Sequence, residues 1–560
     1  SYVSHAWLGA VANVNHTRMC ITITPMDTSE ISKTLKKSIS DTKSKIINVS
    51  DYNDQILLQN QMEDYVELVN RIDREHERFN KLTVNFLCYG DSKEALDKTK
   101  KELKNTLASY SLGSADLMFE QERSLKMCLP MVYTDLEKQY GLEMPILATA
   151  SSFPFIYQNL QDSGDSIILG CDGLGSKVFF DLWKRTGKRN NSNAVIIGKS
   201  GSGKSTLVKK IIRGNYARGA KIIAIDPERE LKEMCDLIGG TWIDCGTGIS
   251  GIINPLEVRK STDDNDDEKK LSANDLSRHF QTFRTFIKYY LQDLSAYELT
   301  KIEDALIDVY KDKNITFDTD LSKLKSEDYP IIKDLYNKLL NNLYNAKVRE
   351  EPQNVIASLE KICSLLKRAI TTDAKIFNGH SSIKVNNNSD FIVLDINSLV
   401  DSDDSILKSQ FFNILTWCWN EICKNKDEQV ILVCDEAHLI IDPNNRDGID
   451  FLKKASKRIR KQNGSLILIS QNLIDFCSPE IERYGQVIID NSSYLFVMSQ
   501  GQKEIEAVAN MLSLSESERQ FLTTASQGCG LLVVGQDTRL PIQVELRVEE
   551  QELFGTAGGK

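Results

Sequence analysis

The sequence predicts an α/β chain: a mainly parallel sheet carrying an all-α insertion, preceded by an α+β region. Three observations predict it. After residue 170, apolar runs alternate with helical patterns, at Lys221 to Ile225, Phe391 to Ile396, Val430 to Cys434, Ser465 to Ser470 and Tyr494 to Met498, and strand-helix alternation builds parallel sheets. Between about 276 and 378 the pattern is almost purely helical, with Phe280, Phe283, Phe286, Ile287 and Leu291 at helical spacing. Upstream of 170, strand patterns mix with long charged helices.

Length and composition set the limits. At 560 residues the chain exceeds one ordinary domain, since a domain averages roughly 150 residues. With 41% hydrophobic and 26% charged residues it reads as globular. A net charge of −10 gives no general attraction to nucleic acid or to an acidic membrane surface. No stretch approaches the roughly 20 apolar residues that span a bilayer, and no signal segment opens the chain. The 12 cysteines are scattered, which suits thiols in a reducing compartment.

Taken in order, residues 1–170 begin with Ser1 rather than Met and run into the strand-like Met19 to Thr24, so upstream residues are expected to have been lost. Helical patterns follow at Asp51 to Phe79 and Lys93 to Leu107, with Lys81 to Leu87 as a strand between them. Two parallel-looking strands, each followed by helix and without a phosphate loop, assign this region to assembly.

The run Gly198-Lys199-Ser200-Gly201-Ser202-Gly203-Lys204-Ser205-Thr206 follows the strand Ala194 to Ile197 and opens the helical pattern Leu207 to Ile212. Glycines at 198, 201 and 203 let the backbone fold round an anion, so that N–H groups and a helix start point at phosphates. Lys204 supplies charge to the terminal phosphates, and Ser205 can hold a magnesium ion. Gly198, Ser200 to Gly203 and Lys204 to Thr206 are therefore the nucleotide-binding candidates.

The strand Val430 to Cys434 ends in Asp435-Glu436-Ala437-His438. Asp435 is expected to orient the metal, and Glu436 to accept a proton from the attacking water. Cys434 reads as a buried filler rather than a nucleophile. Gln471, at the tip of the next strand, reads as a γ-phosphate sensor, with a polar strand end as the alternative. Asp226-Pro227-Glu228-Arg229-Glu230 has acids that could face the site, or is a turn capped by Asp226.

Between the acid pair and Gln471 runs Phe451 to Lys461, where Leu452, Ala455 and Ile459 can pack inward while six cations stand outward. Three readings stay open: Arg458 or Arg460 as an arginine finger for a neighbouring subunit, a nucleic-acid contact, or a solvated face. The charge run Lys260 to Lys270 reads as a solvated loop. Gly528 to Ile542 resembles a hairpin turning at Gly535 to Thr538, and its Arg539 is either an edge-strand charge or a nucleotide contact.

Several phrases together resemble the assembly ATPases of conjugative type IV secretion systems, the TraC/TrbE class within the HerA/FtsK group of motors. They are Cys128-Leu129-Pro130-Met131, Ala150-Ser151-Ser152-Phe153-Pro154-Phe155, Phe180-Asp181-Leu182 with Arg189-Asn190-Asn191-Ser192-Asn193, Asp226-Pro227-Glu228, Ile253-Asn254-Pro255-Leu256, Ser470-Gln471 and Gly528 to Gly535. The similarity runs from about residue 15 to 548. It implies a RecA-like P-loop motor domain over 171–550 with an all-α insertion at about 276–378, an N-terminal membrane-docking domain over 1–170, and a tail over 551–560. It also implies ATP and Mg2+ as ligands, a hexamer, inner-membrane channel components as partners, and a place at the cytoplasmic face of the cell membrane. DNA stays an open partner. The expected function is an ATP-hydrolysing motor for channel or pilus assembly and substrate transfer; the alternatives are a DNA-pumping coupling protein and a nucleotide-dependent scaffold.

Overall fold

The computed structural model describes residues 7–12, 14–49, 51–110, 112–129, 136–154, 159–173, 175–248, 251–260, 273–383, 390–440, 447–471, 482–535 and 538–554. The charge run at 261–270 lies outside them. The chain divides into two compact units, Ser1–Tyr157 and Gln158–Lys560.

In the first unit, β1 (Thr17–Pro25), β2 (Phe79–Cys88) and β3 (Leu142–Pro145) form an antiparallel sheet in that order. The parallel arrangement expected from the sequence is thereby corrected. Between β1 and β2 the chain makes not one helix but a pair of packed helices, Thr28–Asn48 and Tyr52–Glu75. One helix would carry the chain back for a parallel strand; two return it to the end it left, so β2 must run the other way. Asp27 and Asp51 cap the two helices by accepting from Ser29 N and Asn53 N. Trp7, Leu8, Val11, Leu82, Leu103 and Leu107 make the core of this sheet.

The second unit holds β4 (Ile167–Asp172), β5 (Lys177–Phe180), β6 (Ala194–Ile197), β7 (Lys221–Asp226), β8 (Thr241–Asp244), β9 (Phe391–Asp395), β10 (Val430–Cys434), β11 (Gly464–Ser470), β12 (Tyr494–Met498), β13 (Cys529–Val534) and β14 (Thr538–Val544). Among the described residues these form one sheet, ordered β5-β4-β14-β13-β12-β6-β11-β10-β7-β9-β8. The run from β12 to β8 is parallel throughout. The hairpin β13-β14 and then β4 and β5 extend it antiparallel. Because β4 spans residue 170 and pairs with β14, the sheet begins upstream of the position the sequence suggested for the domain boundary.

Every residue of β6, β9, β10 and β12 is buried, which is why these strands read as continuous apolar runs. Side chains alternate between two cores. Ile196, Ile222, Ile431 and Ile467 join Leu207, Val208 and Ile211 of the helix Lys204–Tyr216 on one face. Ile197, Ile223, Leu432 and Leu466 meet the other helices on the opposite face. There the long helix Asp404–Cys423 lies between sheet and insertion. The insertion itself, placed between β8 and β9, is built from the helices Ala273–Tyr290, Ala296–Asp312, Ile332–Val348, Gln353–Leu366 and Ala374–Phe377. No helix among the described residues is long and apolar enough to cross a membrane.

Residues 551–554, expected as tail, complete the helix Val548–Phe554, which docks on the back of the helix that follows the phosphate loop. Glu550 contacts Lys210 at 2.7 Å and Arg213 at 3.1 Å, and Lys209 Nζ donates to Phe554 O at 2.8 Å. The Lys210 and Glu550 side chains are only 4% and 7% exposed, so losing one partner strands a buried charge. Glu550→Ala is expected to cost about 3–5 kcal/mol in denaturant unfolding. A loss below about 1 kcal/mol, the size found for exposed pairs, would show that water reaches this pair.

Candidate nucleotide site

The phosphate loop is shaped by what packs against it. A Cβ on Gly198 would lie 2.6 Å from Met498 Cβ and 2.7 Å from Ser202 Oγ, so only glycine lets β6 and β12 close at that point. Gly203 has φ +99° and approaches Gly528, whose N would be 3.1 Å from an added Cβ. Lys199 N donates to Ser499 O at 3.0 Å, and Gly528 N donates to Ser202 O at 2.9 Å. Thus the end of β12 and the start of β13 hold the loop. Gly201 has φ +75° and nothing within 4 Å of where a Cβ would stand. Ser200 is exposed in the loop, while Ser205 and Thr206 lie in the first turn of the helix.

Lys204 Nζ donates to Gly198 O at 2.8 Å and Lys199 O at 3.3 Å, and the residue is 8% exposed. Burial pushes its pKa down, while the charges of Glu436, Asp435 and Glu230 oppose that shift. These acids stand near it because β10 is the second neighbour of β6, with β11 between, and all three strands run the same way. Parallel neighbours about 4.8 Å apart end at one edge of the sheet.

At that edge Asp435 N donates to Ile225 O at 3.2 Å, and Asp435 Oδ1 accepts from Glu436 N at 2.9 Å. Burial, then the charges of Glu436, Glu230 and Asp226, push the Asp435 pKa well above the usual carboxylate range. Glu436 is 6% exposed and has φ +47°. Gln471 Nε2 donates to its Oε1 at 2.5 Å, and His438 Nδ1 lies 2.9 Å from its Oε2. Burial alone would raise the Glu436 pKa, but the His438 and Gln471 contacts with the charges of His438 and Lys204 outweigh it and hold the carboxyl below its usual range.

The structure thus brings Lys204, Asp435, Glu436 and Gln471 together. His438 joins them, a residue whose part the sequence reading missed although it stands two positions from Glu436. Asp226 is fully buried and accepts from Glu230 N at 3.1 Å and Leu231 N at 2.8 Å, which is the turn-capping arrangement. Burial pushes its pKa up to about 6 against those two N–H groups. The neighbouring Arg229 Nε donates to Asp395 Oδ2 at 2.8 Å.

Other candidates lie elsewhere. Leu452, Ala455 and Ile459 are buried, but Arg458 and Arg460 precede β11, whereas Gln471 follows it. A seven-residue strand rises roughly 20 Å, so both arginines are at the opposite edge of the sheet from the phosphate loop of their own chain. Lys453 and Lys454 pair with Asp450. Arg539 is on β14, an interior strand, and donates to Leu512 O at 2.5 Å while pairing with Glu518 at 3.2 Å. It therefore ties the hairpin to the preceding helices, which corrects both the edge-strand and the nucleotide readings. Cys434 is buried and burial pushes its thiol far up, as suits a filler.

Fold and site together define a RecA-like P-loop nucleotide-binding protein, with the acid pair one strand removed from the phosphate-loop strand. The family model described as the TraG P-loop domain matches residues 170–528. The solved structure of VirB4 from Thermoanaerobacter pseudethanolicus is similar at 40% identity and a TM-score of 0.65, covering 70% of this chain and 100% of that one. An uncharacterized Bacillus anthracis protein is 23% identical over 99% of this chain and 91% of its own length. Protein TraC of Escherichia coli K12 is 22% identical over 76% of this chain but 46% of its own length. The chain belongs to the TraG P-loop domain family, and within it to the VirB4/TraC type of conjugative type IV secretion ATPase, as the motifs implied.

Proposed function

We propose that the chain hydrolyses ATP to ADP and phosphate with magnesium, and so drives assembly of a conjugative secretion channel or pilus and substrate transfer. One observation carries this: Lys204, Asp435, Glu436 and Gln471 converge on the phosphate loop from three parallel strands. The residues fit a metal-bound triphosphate. Gly198 and Gly203 leave no room for side chains at the loop, Ser202 Oγ is buried without a hydrogen-bond partner, and burial, with the crowding of the acids around it, raises the Asp435 pKa. A cation relieves that crowding.

In this reading the loop N–H groups and Lys204 bind the phosphates, Gly198 and Ser200 to Thr206 form the cradle, and Ser205 and Asp435 hold Mg2+. When bound, the ion neutralises charge that develops on the transferred phosphoryl group. Glu436, ionised and 6% exposed, takes the proton of the attacking water, and Gln471 couples that carboxylate to the γ-phosphate. The N-terminal unit docks on inner-membrane components at the cytoplasmic face. Arg458 and Arg460 serve the nucleotide of a neighbouring subunit in a hexameric ring. Replacing both with alanine should spare nucleotide binding and remove turnover; full turnover would end the finger assignment.

Plasmid transfer from a host carrying the Glu436→Gln chain in place of the native one tests the motor reading. Transfer should fall to background. Undiminished transfer would favour a scaffold, and DNA-stimulated turnover with a steep salt dependence would favour a DNA pump.

A further inference from the structure

The backbone at Glu436 is in an unusual conformation. Its φ of +47° lies in the left-handed region, which is unfavourable for a residue with a Cβ. Directly afterwards the chain enters the short 3₁₀ turn Ala437–Ile440, where Leu439 N donates to Glu436 O at 2.9 Å. That turn brings His438 Nδ1 close to the carboxylate. Gln471 Nε2 donates to Oε1 from the end of β11, and His438 Nδ1 lies 2.9 Å from Oε2, so each carboxylate oxygen has a polar neighbour of its own. Gln471 alone would leave the group free to swing about its last torsion, which has a broad, soft preference.

We propose that His438 is a positioning residue that fixes the direction of the Glu436 carboxylate through Nδ1. The inference rests on Glu436 being the base. His438 itself does not touch the nucleotide; it keeps one lone pair of Glu436 aimed at the place where water must be deprotonated. A general base is effective only within hydrogen-bond reach of its proton, and a misplacement of about 1 Å can cost roughly a hundredfold in rate. The left-handed turn is then part of the arrangement: it is the conformation that puts the side chains of residues 436 and 438 on one side of the chain.

The test uses the full chain with three substitutions at this position, each measured for kcat, KM for ATP, affinity for ATP and thermal melting. His438→Ala should lower kcat about 10- to 100-fold while KM and affinity stay within about twofold. His438→Asn places an amide nitrogen where Nδ1 stands and should recover most of kcat. His438→Gln places its amide where Nε2 stands and should not. Wild-type kcat in the alanine variant would overturn the proposal. Equal defects in the asparagine and glutamine variants, with a lowered melting temperature, would overturn it too, since the ring would then matter only for packing. Glu436→Gln is measured alongside: if it hydrolyses ATP normally, the base assignment fails instead.

Discussion

Glu436→Gln should bind ATP as the native chain does and hydrolyse it about 10²–10⁴-fold more slowly, the contribution typical of a positioned general base. The substitution keeps the shape of the side chain. Its carbonyl oxygen can still accept from Gln471 Nε2 and its amide can still face His438, so the contacts at 2.5 Å and 2.9 Å have neutral counterparts. What disappears is the ability to take a proton. Binding survives because the loop N–H groups, Lys204 and Asp435 are untouched. Removing one negative charge beside Asp435, whose pKa the Glu436 charge helps to raise, should leave the melting temperature unchanged or higher. Steady-state phosphate release and equilibrium binding of a fluorescent ATP analogue, measured on one preparation, separate the two effects. Hydrolysis within about tenfold of native would remove Glu436 from the chemistry.

Lys204→Ala should instead lose the nucleotide itself. Its ammonium group lies beside the loop carbonyls of Gly198 and Lys199 and faces Asp435, Glu436 and Glu230. Truncating one member of such a desolvated charge set costs about 2–5 kcal/mol in affinity, roughly 30- to 4,000-fold in dissociation constant. The three acids also lose a nearby cation, so the unliganded variant should melt at a lower temperature. The clearest readout is the thermal shift caused by ATP with magnesium, large for the native chain and absent for the variant. A native-size shift would mean that phosphates are held elsewhere. The two substitutions thus divide the site: one empties it, the other fills it and stops it.

Much of this site could be read from residues close together in the chain. The glycine spacing from 198 to 203, Lys204 and Ser205 are local requirements of a loop that folds round an anion. β10 and β12 stand at the residues their apolar runs suggested, Val430–Cys434 and Tyr494–Met498, because a strand buried on both faces leaves no polar position to blur its limits. The helical insertion showed itself by period alone. The acid pair at a strand end was equally plain, since sheet tips in such folds are where ligands bind.

Other features needed the folded chain. β1 and β2 run antiparallel because two helices, not one, fill the space between them. Arg539 meets Glu518, although it had been weighed near a nucleotide, and Arg458 and Arg460 sit at the edge of the sheet away from their own chain's phosphate loop. The contact between Gln471 and Glu436 joins positions 35 apart, and the pairing of Glu550 with Lys210 joins positions 340 apart. Backbone conformation, amphipathic period and loop chemistry act over a few residues and leave their mark in the order of amino acids. Strand order, and the direction each side chain finally takes, arise when distant segments compete to bury the same apolar faces, and no short stretch of chain records the outcome.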